Sequence, residues 1–162
     1  MEHGIVQIYS GSGKGKTSAA IGRAVQEAGD GKKVVIITFL KGMETNEYIK
    51  RLEPEIKVFT FEKSDGNFED LPEERQQEEI HNIRNGLNFA KKVLSTGECN
   101  LLILDEVLGL VDHHIITTEE LKAVLDAKQD DVSVILTGRN LNAEVSAMAD
   151  EVSEIQTKSN EM

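Results

Sequence analysis

The stretch SGSGKGKT, Ser10 to Thr17, follows the apolar run Ile5–Tyr9 and precedes the alanine-rich helical sequence Ser18–Ala28. A strand, a glycine-rich loop and a helix in this order are typical of a phosphate-binding loop. The glycines let backbone N–H groups converge on phosphate oxygens, and the helix points its positive end at them. Lys16 can then reach the outer phosphates, and the Thr17 hydroxyl can ligate Mg²⁺. The stretch therefore predicts a nucleotide-binding site.

The loop has an unusual arrangement of glycines. The common pattern G-x-x-x-x-G-K-[ST] has a glycine five positions before Gly15, where this chain has Ser10. Glycine instead occurs at every second position, and Lys14 adds a second lysine inside the loop. A glycine-rich turn before any helix would not explain two lysines and a threonine here, so we expect the whole loop to bind phosphate. The predicted nucleotide-binding residues are Gly11, Ser12, Gly13, Lys14, Gly15, Lys16, Thr17 and Ser18.

A second motif is LLILDE, Leu101 to Glu106. Four apolar residues before an acidic pair predict a buried strand with carboxylates at its C-terminal end, which is where P-loop proteins hold an acid near magnesium. The predicted metal-site residues are Thr17, Glu106 and Asp105. Glu106 could hold the metal or position a water molecule at the γ-phosphate. These residues predict a magnesium–nucleotide site and leave the fate of the nucleotide open.

The rest of the chain alternates between strand and helix patterns. Further strands are predicted at Lys32–Leu40, Ile56–Phe61, Asp131–Arg139 and Glu151–Ile155. This alternation predicts an α/β fold with a doubly wound, mostly parallel sheet, as in the P-loop NTPase-like (RecA-like) three-layer sandwich. We expect a single nucleotide-binding domain over residues 1–162, with a frayed tail at 156–162.

Three strand ends carry polar residues that we expect to converge on one crevice with the P-loop. Lys41 ends the second strand, Glu106 follows the LLILD strand, and Arg139 ends the fifth. Ligands bind beyond the carboxyl ends of the strands in open α/β sheets. We expect Arg139 to meet the negative charge of the nucleotide. The polar, acidic segment Lys63–Glu74 is predicted to be a loop on the same side.

Composition excludes several classes of partner. The chain has 18 basic and 29 acidic residues and a net charge of −11, which argues against a nucleic acid bound through its phosphates. The single cysteine, Cys99, excludes an intrachain disulfide and a cysteine zinc cluster and is expected to be a buried structural thiol. No apolar run approaches membrane-spanning length, so we expect no membrane partner and a cytoplasmic protein.

Four segments resemble the P-loop corrinoid adenosyltransferases: YSGSGKGKTSAAIG, KKVVIITFLKG, LILDEVLGLV and LTGRN…AEVSAMADEVSEI. The similarity runs from about Gly4 to Ile155, and its most specific mark is the loop without the first Walker glycine. The resemblance implies transfer of the 5′-deoxyadenosyl group of ATP to a Co(I) corrinoid, cobalamin or cobyrinic acid a,c-diamide, with release of triphosphate. It also implies Mg²⁺ or Mn²⁺, an electron-donating flavoprotein as partner, and a homodimer.

The resemblance also implies roles for individual residues. Lys16 and Arg139 would stabilise the departing triphosphate, and Thr17 and Glu106 would hold the metal with Asp105 behind them. Family members usually carry a Gly-Phe-x-Trp segment near the corrinoid. This chain has no tryptophan and offers DGNF, residues 65–68, in that place. Phe68 is therefore the expected aromatic contact to the corrinoid, and Lys41 a further one.

Two other functions remain open on the sequence alone. A P-loop ATPase or small-molecule kinase would release ADP, whereas the adenosyltransferase would release tripolyphosphate. A non-catalytic ATP- or corrinoid-binding module would give no product. The second alternative is favoured by the missing tryptophan, by Gln26 where the family commonly has arginine, and by QTKSNEM in place of a basic tail.

Overall fold

The computed structural model describes residues 3–12, 15–40, 50–64 and 66–160. Its strands are β1 (Val6–Ser10), β2 (Val34–Thr38), β3 (Ile56–Thr60), β4 (Leu101–Asp105), β5 (Ser133–Gly138) and β6 (Glu151–Glu154). They form one sheet in the order β3-β2-β4-β5-β1-β6, and every neighbouring pair is parallel. The predicted doubly wound sheet is confirmed.

Helices cover both faces of the sheet. The helices that lie wholly within the described residues are α1 (Lys16–Gly29), α2 (Glu73–Thr96), α3 (Val107–Asp112), α4 (Thr118–Asp126) and α5 (Ala143–Ser146), with a 3₁₀ turn at Phe68–Asp70. Ala20 and Ala24 of α1 belong to one buried apolar cluster. The buried hydrophobic residues of α2 to α5 belong to the other cluster. The predicted three-layer arrangement is therefore confirmed.

The apolar runs of the central strands follow from this double coverage. In β2, Val34 and Ile36 pack into the cluster on the α1 side, whereas Val35 and Ile37 pack into the opposite one. All five residues of β2 are buried, as are all five of β4. A strand covered on both faces needs apolar residues at every position rather than at alternate ones.

Local details around the helices agree with the sequence patterns. A capping box joins Thr117 to Glu120 at the start of α4. Cys99 is buried without a disulfide, and burial raises the pKa of its thiol to about 12. Residues 155–160 form no helix or strand. None of the helices described is both long enough and apolar enough to cross a membrane.

Candidate active site

Seven of the predicted site residues line one cleft at the carboxyl edge of the sheet. The cleft has a volume of about 220 Å³ and lies at the loop between β1 and α1. Its predicted lining residues are Ser12, Gly15, Lys16, Thr17, Ser18, Glu106 and Arg139. Gly13, Lys14 and Lys41 lie outside the described residues. Segments more than 85 residues apart in sequence thus meet at this cleft, as the positions of the strand ends predict.

The backbone of the loop places the first turn of α1 at this cleft. Gly15 has φ 103, a left-handed conformation that favours glycine, and it precedes the first helical residue, Lys16. The helix therefore begins two residues earlier than the sequence pattern predicts. Lys16, Thr17 and Ser18 form its first turn, and N–H groups at a helix N-terminus bind anions.

Gly11 has a different role from the other loop residues in this structure. Its N–H donates to the carbonyl oxygens of Gly138 and Arg139, both at 3.2 Å. Its φ is 125, and a Cβ atom there would lie 2.4 Å from the carbonyl oxygen of Ile155. Glycine is required here because β1 ends in close contact with its neighbours, so Gly11 fixes where the loop begins.

Asp105 connects the end of β4 to the P-loop helix. Its carboxylate is 1% exposed and accepts hydrogen bonds from the hydroxyls of Thr17 at 2.9 Å and Thr137 at 2.7 Å. Since β5 lies between β1 and β4, Asp105 reaches Thr17 across the end of β5, where Thr137 supports it. Two threonine hydroxyls therefore orient a buried carboxylate.

Thr137 also holds the residue after Asp105. Its hydroxyl oxygen accepts a hydrogen bond at 2.8 Å from the backbone N–H of Glu106. Glu106 has φ 63, a conformation that is uncommon for a residue other than glycine. The strained turn directs Glu106 to the cleft instead of continuing β4. Thr137 was not among the predicted site residues, because a threonine before glycine at a strand end carries no sequence signal for this role.

A larger cleft adjoins the first one. It has a volume of about 590 Å³ and shares Glu106 and Arg139 with the phosphate-loop cleft. Phe68, which is predicted to contact the corrinoid, lies in the wall of this cleft. It packs against the apolar cluster on the side of α2 to α5. Two connected clefts with shared charged residues suit two substrates that must meet.

The N-terminal half of α2 holds the segment that carries Phe68. The side chain of Gln76 donates to the carbonyl oxygen of Phe68 at 3.1 Å. The buried carboxylate of Glu79 accepts from the backbone N–H groups of Lys63 and Ser64, at 3.1 and 3.3 Å. The predicted loop lies on the ligand side as expected, and in addition it contains a 3₁₀ turn.

Glu69 and His113 both line the larger cleft and contact each other there. Glu69 lies in the 3₁₀ turn beside Phe68, and His113 follows the last residue of α3. The Glu69 carboxylate lies 2.8 Å from His113 Nδ1. His113 and His114 are both exposed in a turn. Within the described ranges, no group of three or more histidine, cysteine, aspartate or glutamate side chains could hold a metal ion.

Leu40 forms part of the floor of the larger cleft in a strained conformation. Its φ is 62, and its N–H donates to the buried Glu62 carboxylate at 2.6 Å. A Cβ atom on Gly109 would lie 2.6 Å from Leu40 Cδ1, so glycine leaves room for this side chain. Burial raises the pKa of Glu62 to about 7; the Leu40 N–H opposes this shift and Glu79 adds to it.

The comparisons with known proteins identify the family of the chain. The family model described as "ATP:corrinoid adenosyltransferase BtuR/CobO/CobP" matches residues 2–162. The chain belongs to this family. It is 30% identical over 155 residues to the corrinoid adenosyltransferase of Escherichia coli K12, covering 96% of this chain and 78% of that protein. The corrinoid adenosyltransferase CobA of Salmonella typhimurium gives the same identity and coverage.

A solved structure extends the comparison to the fold. The KaiC-like protein PH0186 from Pyrococcus horikoshii OT3 matches with a TM-score of 0.62 and 18% identity, covering 99% of this chain and 77% of that one. At this identity the likeness concerns the fold alone. The corrinoid adenosyltransferase family and the P-loop architecture were both expected from the sequence, and both expectations are confirmed.

Proposed function

We propose that the protein transfers the 5′-deoxyadenosyl group of ATP to a Co(I) corrinoid and releases triphosphate. The observation that carries this proposal is the pair of connected clefts that share Glu106 and Arg139. One cleft has the phosphate-loop residues, and the other is large enough for a substantial part of an organic ring system. Membership in the corrinoid adenosyltransferase family supplies the reaction.

The reaction balances without a nucleophile from the protein. The cobalt(I) centre of the corrinoid substrate donates an electron pair to C5′ of ATP and a cobalt–carbon bond forms. The bond between C5′ and the α-phosphate oxygen breaks, and triphosphate leaves with the electron pair of that broken bond. The protein must therefore align the two substrates and stabilise charge on the leaving group.

The smaller cleft is the proposed binding site of the triphosphate leaving group. We assign Lys16, Arg139 and the first-turn N–H groups of α1 to the triphosphate, because all of them lie at the same cleft. The side chain of Lys16 is buried, so its charge acts in a poorly screened environment. Gly13 and Lys14 belong to the same proposed phosphate loop by their place in the sequence.

The donor set fits Mg²⁺. Thr17, Asp105 and Glu106 offer oxygen ligands, which Mg²⁺ prefers, and the Thr17–Asp105 hydrogen bond fixes the threonine hydroxyl. We propose that Thr17 and Glu106 hold the ion beside the phosphates while Asp105 orients Thr17. When bound, the ion would neutralise part of the triphosphate charge.

The larger cleft is the proposed corrinoid site. Phe68 would contact the corrin ring, and Lys41, which follows Leu40 in the chain, is a second proposed contact. Because cobalt must enter as Co(I), the reaction needs an electron donor, and by analogy with the family we propose a flavoprotein. The same analogy suggests a homodimer.

Replacement of Lys16 tests the assignment of the phosphate cleft. In Lys16→Ala we expect kcat/KM to fall by at least about a hundredfold, because a charge that stabilises the leaving group is removed. Lys91→Ala, an exposed position on α2, is the matched control and should retain full activity. Near-normal turnover of the Lys16 variant would overturn the assignment of the P-loop.

A further inference from the structure

A buried carboxylate lies behind the floor of the larger cleft and has no part in the proposed chemistry. Glu62 is 6% exposed, and within the described ranges of the chain it forms no ion pair. Burial raises the pKa of its carboxyl group to about 7. A buried group that ionises in the folded protein costs stability, so an acidic residue at this position needs a physical reason.

The register of the sheet explains why Glu62 reaches Leu40. The strands β2 and β3 are parallel, and their last paired residues are Thr38 and Thr60. Leu40 and Glu62 each lie two residues further along the chain, so they would be neighbours if both strands continued. Instead, the N–H of Leu40 donates to the Glu62 carboxylate at 2.6 Å. The side chain therefore takes the place of the backbone acceptor that a longer β3 would offer.

This hydrogen bond holds a backbone turn that is unfavourable for leucine. Leu40 has φ 62, a conformation that residues other than glycine rarely adopt. Such a conformation persists only where the surrounding contacts determine it. On the side of β4, the N–H of Phe39 donates to the carbonyl oxygen of Asp105 at 3.0 Å. Contacts from β4 on one side and from Glu62 on the other therefore fix the end of β2.

The turn sets the position of the Leu40 side chain in the larger cleft. Leu40 lines this cleft together with Phe68 and Glu106. Its Cδ1 atom occupies space that Gly109 of α3 leaves open, at 2.6 Å from where a Cβ atom would lie. Without the acceptor, the Leu40 N–H would lose its partner and the backbone would relax to a negative φ, which would move the side chain. A displacement of about 1 Å is enough to misalign two reacting groups.

We propose that Glu62 is a positioning residue for the reaction: through the turn at Leu40, it shapes the surface of the larger cleft against which the corrinoid is aligned with ATP. This inference rests on the proposed function, since it concerns the same two clefts. An ionised carboxylate is a stronger acceptor than a neutral oxygen, which accounts for an acidic residue at a buried position.

Two substitutions of Glu62 test the role of the acceptor, in anaerobic assays at pH 8 with chemically reduced cobalamin. Glu62→Leu removes the acceptor and should raise KM for cobalamin by about tenfold or more, because the cleft surface moves. KM for ATP should change by less than about twofold, since β4 and β5 separate β2 from the phosphate loop. Glu62→Gln keeps an oxygen acceptor and should bring KM for cobalamin to within about threefold of the unmodified protein.

A matched pair of controls removes a similar hydrogen bond elsewhere. Asp150 accepts from the backbone N–H of Val6 at 2.8 Å, at the start of β1 and thus at the opposite edge of the sheet. Asp150→Leu removes this acceptor and Asp150→Asn keeps one, as at Glu62. Neither control should change KM for cobalamin. Urea unfolding of all four variants separates a loss of stability from a change in the cleft.

The amide resonance of Leu40 reports on the turn without corrinoid or turnover. An N–H that donates to a carboxylate at this distance resonates at low field, and leucine labelled with ¹⁵N makes the signal visible. Its disappearance in Leu40→Met assigns it. We expect the low-field signal in the unmodified protein, a smaller shift in Glu62→Gln and its loss in Glu62→Leu.

Several results would overturn the inference. They are an unchanged KM for cobalamin or an unchanged Leu40 amide signal in Glu62→Leu, an equal rise of KM for cobalamin and ATP, and a Gln variant as impaired as the Leu variant. An equal effect of Asp150→Leu would attribute the change to stability alone. Absence of turnover by the unmodified protein would instead overturn the proposed function, and this inference with it, so the two failures are distinguishable.

Discussion

Removal of the Thr137 hydroxyl should disturb both acidic residues of the site. Thr137 is fully buried; its hydroxyl donates to Asp105 at 2.7 Å and accepts from the Glu106 N–H at 2.8 Å. Thr137→Val preserves the shape of the side chain and removes both hydrogen bonds. A buried hydrogen bond to a charged group contributes about 1.5–3 kcal/mol to stability, and one between neutral groups about 0.5–1.5 kcal/mol. Because Asp105 retains its bond from Thr17, we expect a loss of about 2–4 kcal/mol in the free energy of unfolding.

Thr137→Val should also lower the activity of the enzyme. Groups that orient ligands of a metal site typically contribute about 10–100-fold to activity, so kcat/KM should fall by that amount in Thr137→Val. Thr137→Ser is the control, since it retains the hydroxyl and should lose only about 1 kcal/mol for the missing methyl group. Urea unfolding and initial rates of adenosyl transfer measure the two effects. If the valine and serine variants were equal in both, the role assigned to Thr137 would be wrong.

Two further variants test other parts of the structure. The pKa of Glu62 is raised in the folded protein, so its contribution to stability is present below the unfolded pKa of 4.5 and is lost as the pH rises through about 7. Between about pH 5 and pH 8, Glu62→Gln should therefore become more stable than the unmodified protein as the pH rises, by up to about 3 kcal/mol in the free energy of unfolding. Urea unfolding measures this difference. A difference that does not change with pH would contradict the prediction. Phe68→Ala should raise KM for the corrinoid by about 3–10-fold and leave KM for ATP unchanged, because the lost contact belongs to the larger cleft. Phe68→Leu should raise KM for the corrinoid by less. An equal rise in both KM values would contradict the assignment.

Local sequence patterns were sufficient to find the elements and much of the site. The apolar runs located every strand to within two residues at each end, as at Lys32–Leu40 against the observed Val34–Thr38. These features depend on neighbours along the chain, and so do the phosphate loop and the acidic pair after β4.

Other features depend on neighbours in space. Thr137 bridges Asp105 and Glu106 because β5 lies next to β4, and strand order is not encoded in the pattern of any one strand. The burial of Glu62 likewise depends on the strained turn at Leu40 and on the packing of α2 beside it. Gly109 gave no signal in the sequence, although its missing side chain makes room for Leu40.

The most direct test of the central claim is an anaerobic assay with chemically reduced cobalamin, ATP and Mg²⁺. The corrinoid spectrum and the phosphate products are followed together. The proposed function predicts adenosylcobalamin and tripolyphosphate in equal amounts, without ADP. Formation of ADP and phosphate with an unchanged corrinoid would contradict it and indicate an ATPase or kinase, and ATP binding without any product would indicate a binding module.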